Sequence, residues 1–309
     1  MRVLSIDGGG IRGIVPAVVL AAVEARTGRP IHALFDLVAG TSTGGIIACG
    51  LVAPEPRSAQ QLVELYRDHG PRIFRRSLWQ RVVSADGLAD ARHDPEPLRA
   101  VLHDYLGDAW LSQTRTRLLA TSYDLQAREP YFFKSWRVAD EPARELPLRT
   151  VAQATAAAPT YFPPVRVPRP GAEHDLALVD GGVFANNPAM CAYAEAVRLA
   201  PGEPVSILSL GTGRQTREMP YARAVHWGLV EWARPIIDVV FDGVADTVDY
   251  QLRQLIGDDY TRLQCRLLGA SDALDDASAG NIAALVHLAE QLVAAESARI
   301  DSLCEALVR

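Results

Sequence analysis

Lysine is almost absent from this chain. Lys134 is the single one, and arginine supplies the remaining basic residues. Cysteine is scarce too: Cys49, Cys191, Cys265 and Cys304 are widely spaced. They form no C-x-x-C pair and no Cys/His cluster, which excludes a structural zinc site of the usual spacing and points to free thiols in a reducing compartment. No apolar run reaches the roughly 18 residues that a spanning helix needs. No signal-peptide pattern precedes the strand-like residues 2–6, so the expectation is a cytoplasmic protein, able to sit peripherally on a membrane surface. The net charge of −6 offers no basic footprint for nucleic acid. No Gly-Lys-Ser/Thr follows a glycine, which excludes a P-loop. Repeats and linker-like stretches are lacking as well, so residues 1–309 are expected to form a single domain. What remains is ordinary for a globular protein: 309 residues, 49% hydrophobic and 22% charged, ample for a large core.

Against that background Gly40-Thr41-Ser42-Thr43-Gly44 stands out. It is a G-x-S-x-G pentapeptide between an apolar, strand-like run at 34–39 and a small-residue apolar run at 45–52. Strand, tight turn and helix with serine at the apex make a nucleophile elbow. Gly40 and Gly44 let the backbone turn sharply and let a substrate approach.

Two other glycine-rich turns follow predicted strands. Residues 3–6 lead into Asp7-Gly8-Gly9-Gly10-Ile11-Arg12-Gly13, then a helix at 14–26 with Gly28 just past its end. Residues 176–179 lead into Asp180-Gly181-Gly182, then a helix at 188–199. Further strands are predicted at 117–123, 130–133, 205–210 and 260–267. Helices are predicted from Ser58 to about residue 69, at 97–106 and at 150–158. Strands alternating with helices define an α/β fold with a mostly parallel central sheet flanked by helices in three layers. Ligands of such sheets bind at the carboxyl ends of the strands, so all three turns are expected along one edge. The motifs occupy residues 3–213; residues 214–309 read as mainly helical and packed on that part.

Ser42 needs a base. None of the seven histidines, His32, His69, His93, His103, His174, His226 and His287, sits in a turn of this kind. Asp180 does, although Asp-Gly by itself is a common turn. An aspartate with an ordinary pKa of about 3.9 is a poor base for a hydroxyl, so Asp180 requires desolvation to raise it. Backbone N–H groups of Gly8, Gly9 and Gly10 before a helix N-terminus suit an oxyanion, and Arg12 adds a cation suited to a phosphate. The same glycines also spell a dinucleotide fingerprint, but the second strand ends in the serine turn rather than in an acidic residue for a ribose.

Taken in order, these blocks resemble the patatin-like phospholipases. The resemblance rests on Asp7 to Gly13, Gly40 to Gly44 and Asp180-Gly181-Gly182 with Asn186-Asn187-Pro188. It extends to the segment 154–162 and to Ser209-Leu210-Gly211-Thr212-Gly213. It implies a Ser42–Asp180 dyad, an oxyanion hole at Gly8, Gly9 and Gly10, Arg12 at a phosphate, and hydrolysis of phospholipid acyl esters with no cofactor and no metal. Gly181 and Gly182 would support the base. The segment 154–162 reads as a helix and turn packed behind the sheet, and Asn186 and Asn187 as caps of the next helix. A low-turnover lipid-binding or storage protein, and an effector triggered by a small nucleotide, are the alternatives on the same fold. A homo-oligomer is open, and no motif names an activator. Residues 71–83 interleave Arg72, Arg75, Arg76 and Arg81 with Phe74, Leu78 and Trp79. They read either as an interfacial docking element or as a partly buried excursion with paired arginines.

Overall fold

Short apolar runs become strands because both of their faces can be covered. The structure, a computed structural model, describes residues 1–74, 91–171, 173–216, 218–232 and 235–309. The strands are β1 Arg2–Ile6, β2 Leu37–Thr41, β3 Arg117–Asp124, β4 Glu129–Lys134, β5 Val165–Val167, β6 Leu176–Asp180, β7 Ser206–Leu210 and β8 Tyr260–Leu263. The longer helices are α1 Ile14–Thr27, α2 Thr43–Val52, α3 Ala59–Ile73, α4 Glu96–Leu106, α5 Leu148–Thr155, α6 Ala189–Leu199, α7 Pro235–Ile256, α8 Ala279–Ala295 and α9 Ser297–Val308. Among the described residues no helix is long and apolar enough to cross a membrane.

All eight strands share one mixed sheet. β3, β2, β1, β7 and β8 run parallel in that order. Side-chain alternation sorts the core into two layers. Leu4, Ile6, Val38, Leu118, Ala120, Leu208 and Leu210 pack toward α1 to α5, α8 and α9. Val3, Leu37, Ala39, Leu119 and Ile207 pack toward α6 and α7. Burial on both faces explains why β1 and β7 read as near-continuous apolar runs rather than as alternating ones. The three-layer α/β expectation holds.

Two details differ from the sequence reading. The elbow strand starts later than residue 34, because a 3-10 turn occupies Ile31–Ala33 and Asp36 receives the Arg2 N–H at 2.6 Å. The second concerns β6, which is antiparallel to β3. β2 ends with Thr41 opposite Thr121, and β6 ends with Asp180 opposite Ser122. β4 pairs with β3 from Leu119 to Asp124, on the other side. β2 and β6 therefore share one edge of β3 and run toward each other until their tips meet. The third glycine-rich turn reaches the first two by this head-on arrangement and not as the end of a parallel strand. β5, three residues among prolines, was too short to show a period.

The C-terminal third is tied into the motif-bearing part by a buried ion pair. Arg262 on β8 donates from Nη1 to Asp7 Oδ1 at 2.8 Å and from Nη2 to Asp7 Oδ2 at 2.5 Å. Nη1 also donates to Ser209 Oγ at 2.8 Å. Burial pushes the Asp7 carboxyl up while Arg262 pulls it down, and the carboxylate in turn holds Arg262 charged. Asp7 is the last residue before the first glycine-rich turn, so β8 anchors that turn. Removing one partner of a buried pair leaves an uncompensated charge. Arg262→Ala is therefore expected to lower stability by about 3–5 kcal/mol, read from urea unfolding, with Arg262→Lys recovering part of it.

Candidate active site

Ser42 lies where β2 hands over to α2. Its backbone has φ 55° and ψ −125°, an unusual conformation for a residue with a side chain. Such geometry costs on the order of 1–3 kcal/mol and persists only when its surroundings impose it. Here they do. An added Cβ at Gly40 would lie 2.2 Å from the Gly44 carbonyl oxygen, and one at Gly44 would lie 2.2 Å from the Ile6 oxygen. Only glycines permit strand and helix to close that tightly. The Ser42 N–H donates to Thr155 Oγ1 at 3.0 Å. Thr41 Oγ1 donates to the Ala185 carbonyl at 2.6 Å, which leaves Thr121 to donate to Thr41 across 2.7 Å. The elbow is thus held from α5, from β3 and from the one-turn helix Gly182–Ala185.

Asp180 is fully buried. Its Oδ1 accepts the Gly182 N–H at 2.7 Å. Among the described residues Oδ2 has no hydrogen-bond partner. Burial raises its pKa from 3.8 to about 7, against the opposing pull of the Ser42 hydroxyl and the Gly182 N–H. Ser42 is thus near enough to act on the carboxylate although no aligned hydrogen bond joins them, and Oδ2 is the oxygen left to receive a proton. Gly181 and Gly182 fit their places closely. A Cβ on the first would lie 2.1 Å from Thr121 Oγ1, and one on the second 2.8 Å from the Phe241 ring.

The first glycine-rich turn divides its labour. The Gly8 N–H donates to the Asn186 carbonyl at 2.9 Å, and the Ile11 N–H to the Leu274 carbonyl at 2.9 Å. Gly8 is consequently not available as an oxyanion donor: its N–H is spent on tying the turn to the segment after Asp180. Gly9 and Gly10 line the same cavity as Ser42 and Asp180. Gly10 has φ 58°, and a Cβ there would meet the Leu274 oxygen at 2.2 Å. Arg12 lies beside the turn. It is buried, and its Nε donates to the Gly9 carbonyl at 3.2 Å. Burial pulls its pKa down while Asp242, Asp238 and Asp272 push it back. Nε thereby braces the Gly9 peptide, while the buried Nη1 has no hydrogen-bond partner among the described residues.

The cavity is lined mostly by apolar side chains. The polar groups sit at one end; Ile46, Leu65, Ile73, Phe74, Leu98, Val101 and Leu102 form an apolar channel between α2, α3 and α4. Phe241 and Leu274 close it from the C-terminal third. None of the seven histidines lines it. The buried His93 donates from Nε2 to Asp275 Oδ2 at 3.0 Å, beside Arg92, and packs against Phe74 and Phe162. Of the arginine-rich segment at 71–83, Phe74 belongs to the channel, and residues 75–83 lie outside the described residues.

Several site residues escaped the sequence reading. The segment 154–162 does not simply pack behind the sheet: Thr155 holds Ser42, and Ala156, Ala158, Tyr161 and Phe162 line the cavity. Asn187 Oδ1 accepts the Ala189 N–H at 3.0 Å, as a cap should. Asn186 instead serves the first turn. Leu274, Phe241 and Arg262 lie in the third that carries no motif; only contacts across the fold reveal them.

The chain has relatives among known proteins. The family model described as "Patatin-like phospholipase" matches residues 4–193. The chain is 31% identical to "Patatin-like protein 2" of Oryza sativa subsp. indica, over 97% of this chain and 85% of that one. It is 32% identical to "Patatin-like protein 2" of Arabidopsis thaliana, over 98% and 86%. A third relative, at 31% over 95% and 86%, is "Probable inactive patatin-3-Kuras 1" of Solanum tuberosum. A solved structure, VipD from Legionella pneumophila, aligns over 95% of this chain and 66% of that one, with a TM-score of 0.41 and 11% identity, too distant to carry an argument. The chain belongs to the patatin-like phospholipase family, whose members support a lipid acyl hydrolase in general.

Asp180 makes one stability prediction. Its folded pKa is raised, so the folded state keeps a proton that the unfolded state has lost between about pH 4 and 7. Stability therefore falls as pH rises through that window and then levels off. Asp180→Asn has no such loss. It is expected to be more stable than wild type at pH 8, by up to about 4 kcal/mol, with the gap closing below about pH 4. Urea unfolding at both pH values measures it.

Proposed function

We propose that the protein hydrolyses acyl esters of phospholipids through a Ser42–Asp180 dyad. The observation that carries this reading is the unpartnered Oδ2 of a buried Asp180 in the same cavity as Ser42, at the head of an apolar channel. Asp180 Oδ2 takes the hydroxyl proton as Ser42 Oγ attacks the ester carbonyl. The oxyanion is held by the N–H groups of Gly9 and Gly10, reinforced by the short helical turn that begins there. Collapse expels the alcohol, which leaves with the proton from Asp180. A water then gives a proton to Asp180 as it attacks the acyl-serine; collapse breaks the Oγ–acyl bond, Asp180 returns the proton to Ser42 Oγ, and the fatty acid leaves. The apolar channel suits an acyl chain. Arg12 braces Gly9 through Nε, and its buried Nη1, unpartnered among the described residues, is left for a phosphate.

A base with a pKa near 7 works only when ionised, so kcat/KM is expected to rise with pH through about 7 and then level. Ser42→Ala and Asp180→Asn are each expected to lower release of fatty acid and lysophospholipid from mixed phospholipid vesicles by about 10³-fold or more. Product analysis by mass spectrometry measures this. Near-normal turnover in either variant would refute the dyad. One relative carries the name "Probable inactive", so a lipid-binding protein without turnover is the second reading. Covalent labelling of Ser42 by a fluorophosphonate separates the two: an activated serine labels, an inert one does not.

A further inference from the structure

Apolar surface is unevenly spread over this molecule. Fifteen large apolar side chains are exposed among the described residues, and eight of them fall between positions 219 and 240. Leu229 is 93% exposed and Tyr221 81%. On α7, Ile236, Val239 and Val240 stand at i, i+3 and i+4, so they share one face. Phe241, Ala245, Val248 and Leu252 are buried on the opposite side of the same helix. Trp227 and Trp232 meet edge to face at 5.1 Å, with Trp232 partly exposed. Exposed apolar groups gathered in one stretch of chain mark a surface that something covers.

The surface is continuous with the active-site cavity. Phe241, one residue past Val240, lines the cavity that holds Ser42. A second depression, lined by Arg223, Trp227, Pro235 and Ile237, shares Tyr161 and Leu274 with that cavity. Whatever covers the patch therefore stands at the entrance to the cleft. The chemistry favours a lipid surface. Tyrosine and tryptophan with aliphatic neighbours are the side chains that settle at a water–hydrocarbon boundary. Charges of both signs are interleaved with them: Arg223 and Glu231 are exposed within the patch, and Arg214 pairs with Asp246 at 2.6 Å beside it. That mixture complements zwitterionic headgroups better than a purely anionic surface. It also argues against a dimer, because the centre of a stable protein interface is depleted of charge.

We infer that residues 219–229 and 235–240, with Trp232, form a docking surface for a zwitterionic phospholipid bilayer. It is oriented so that a lipid leaves the bilayer past Phe241 and Leu274 into the Ser42 cleft. The inference rests on the reading of the protein as a phospholipid hydrolase, and its test is a binding measurement that needs no turnover. Full-length Ser42→Ala is sedimented with phosphatidylcholine vesicles, with and without Leu229→Ser, Ile236→Ser and Val240→Ser together. The triple change is expected to weaken partitioning by about tenfold or more, and Leu229→Ser alone, which loses no packing, by a smaller factor. The same changes in the chain with Ser42 intact are expected to leave hydrolysis of a soluble short-chain ester within about twofold. Unchanged partitioning, no binding of the parent to phosphatidylcholine, or binding to phosphatidylglycerol vesicles alone would overturn the inference. Loss of a dimer by light scattering with partitioning unaltered would assign the patch to a second copy of the chain instead. If the soluble ester is never hydrolysed, the proposed function fails while the vesicle measurement still decides the surface.

Discussion

The site depends on two strands that end against each other on one edge of β3. β2 occupies that edge up to Thr121, and β6 occupies it from Ser122 onward in the opposite direction. Hydrogen-bond register fixes each strand along β3, so the distance between the tips cannot drift without breaking ladder bonds. Ser42 follows one tip and Asp180 is the other. Residues separated by most of the motif-bearing chain are thereby positioned by a single shared neighbour. The hydroxyls of Thr41 and Thr121, joined at 2.7 Å, and the bond from Thr41 to Ala185 stitch the junction where neither ladder reaches.

Burial performs two opposed tasks around that junction. It stabilises the sheet through apolar layers on both faces, and it destabilises the charged form of Asp180. In the proposed mechanism the second effect suits an ordinary carboxyl to serve as a base at neutral pH. Strain at Ser42, a carboxyl deprived of water and a buried ion pair at Asp7 each cost free energy, and the double-layered core around β1, β2 and β3 offsets them. The C-terminal third participates directly: Arg262 holds the end of β1, the Leu274 carbonyl holds the first glycine-rich turn, and Phe241 closes the cavity. It is part of the active-site architecture and not an appendage.

Much of this was legible from residue pattern. The glycines at 40 and 44, the position of Ser42 between apolar runs and the Asp-Gly-Gly after a short strand all carry local constraints, and local constraints survive in one dimension. Helices α1, α3, α4 and α6 announced themselves by caps, periodicity and flanking glycine or proline. The direction of β6 was not legible, because an apolar run of five residues reads the same in either sense. The burial of Arg12 was hidden as well. An arginine after a glycine-rich turn reads as an exposed cation; in space it is buried, with Nε on the Gly9 carbonyl.

By itself the sequence determined the chemistry on offer: one serine at an elbow, one aspartate beside two glycines, backbone donors at a third turn and no histidine suitably placed. Those are properties of neighbours along the chain, where sterics and hydrogen bonding act over a few residues. Tertiary structure alone decided which of these groups meet and in what state. It brought β6 in antiparallel to set Asp180 against Ser42, and spent the Gly8 N–H on Asn186. It turned Arg12 into a brace, and gave the C-terminal third its anchoring ion pair. Each of those outcomes depends on burial and on strand pairing between distant segments, and neither has a period or a motif in the chain.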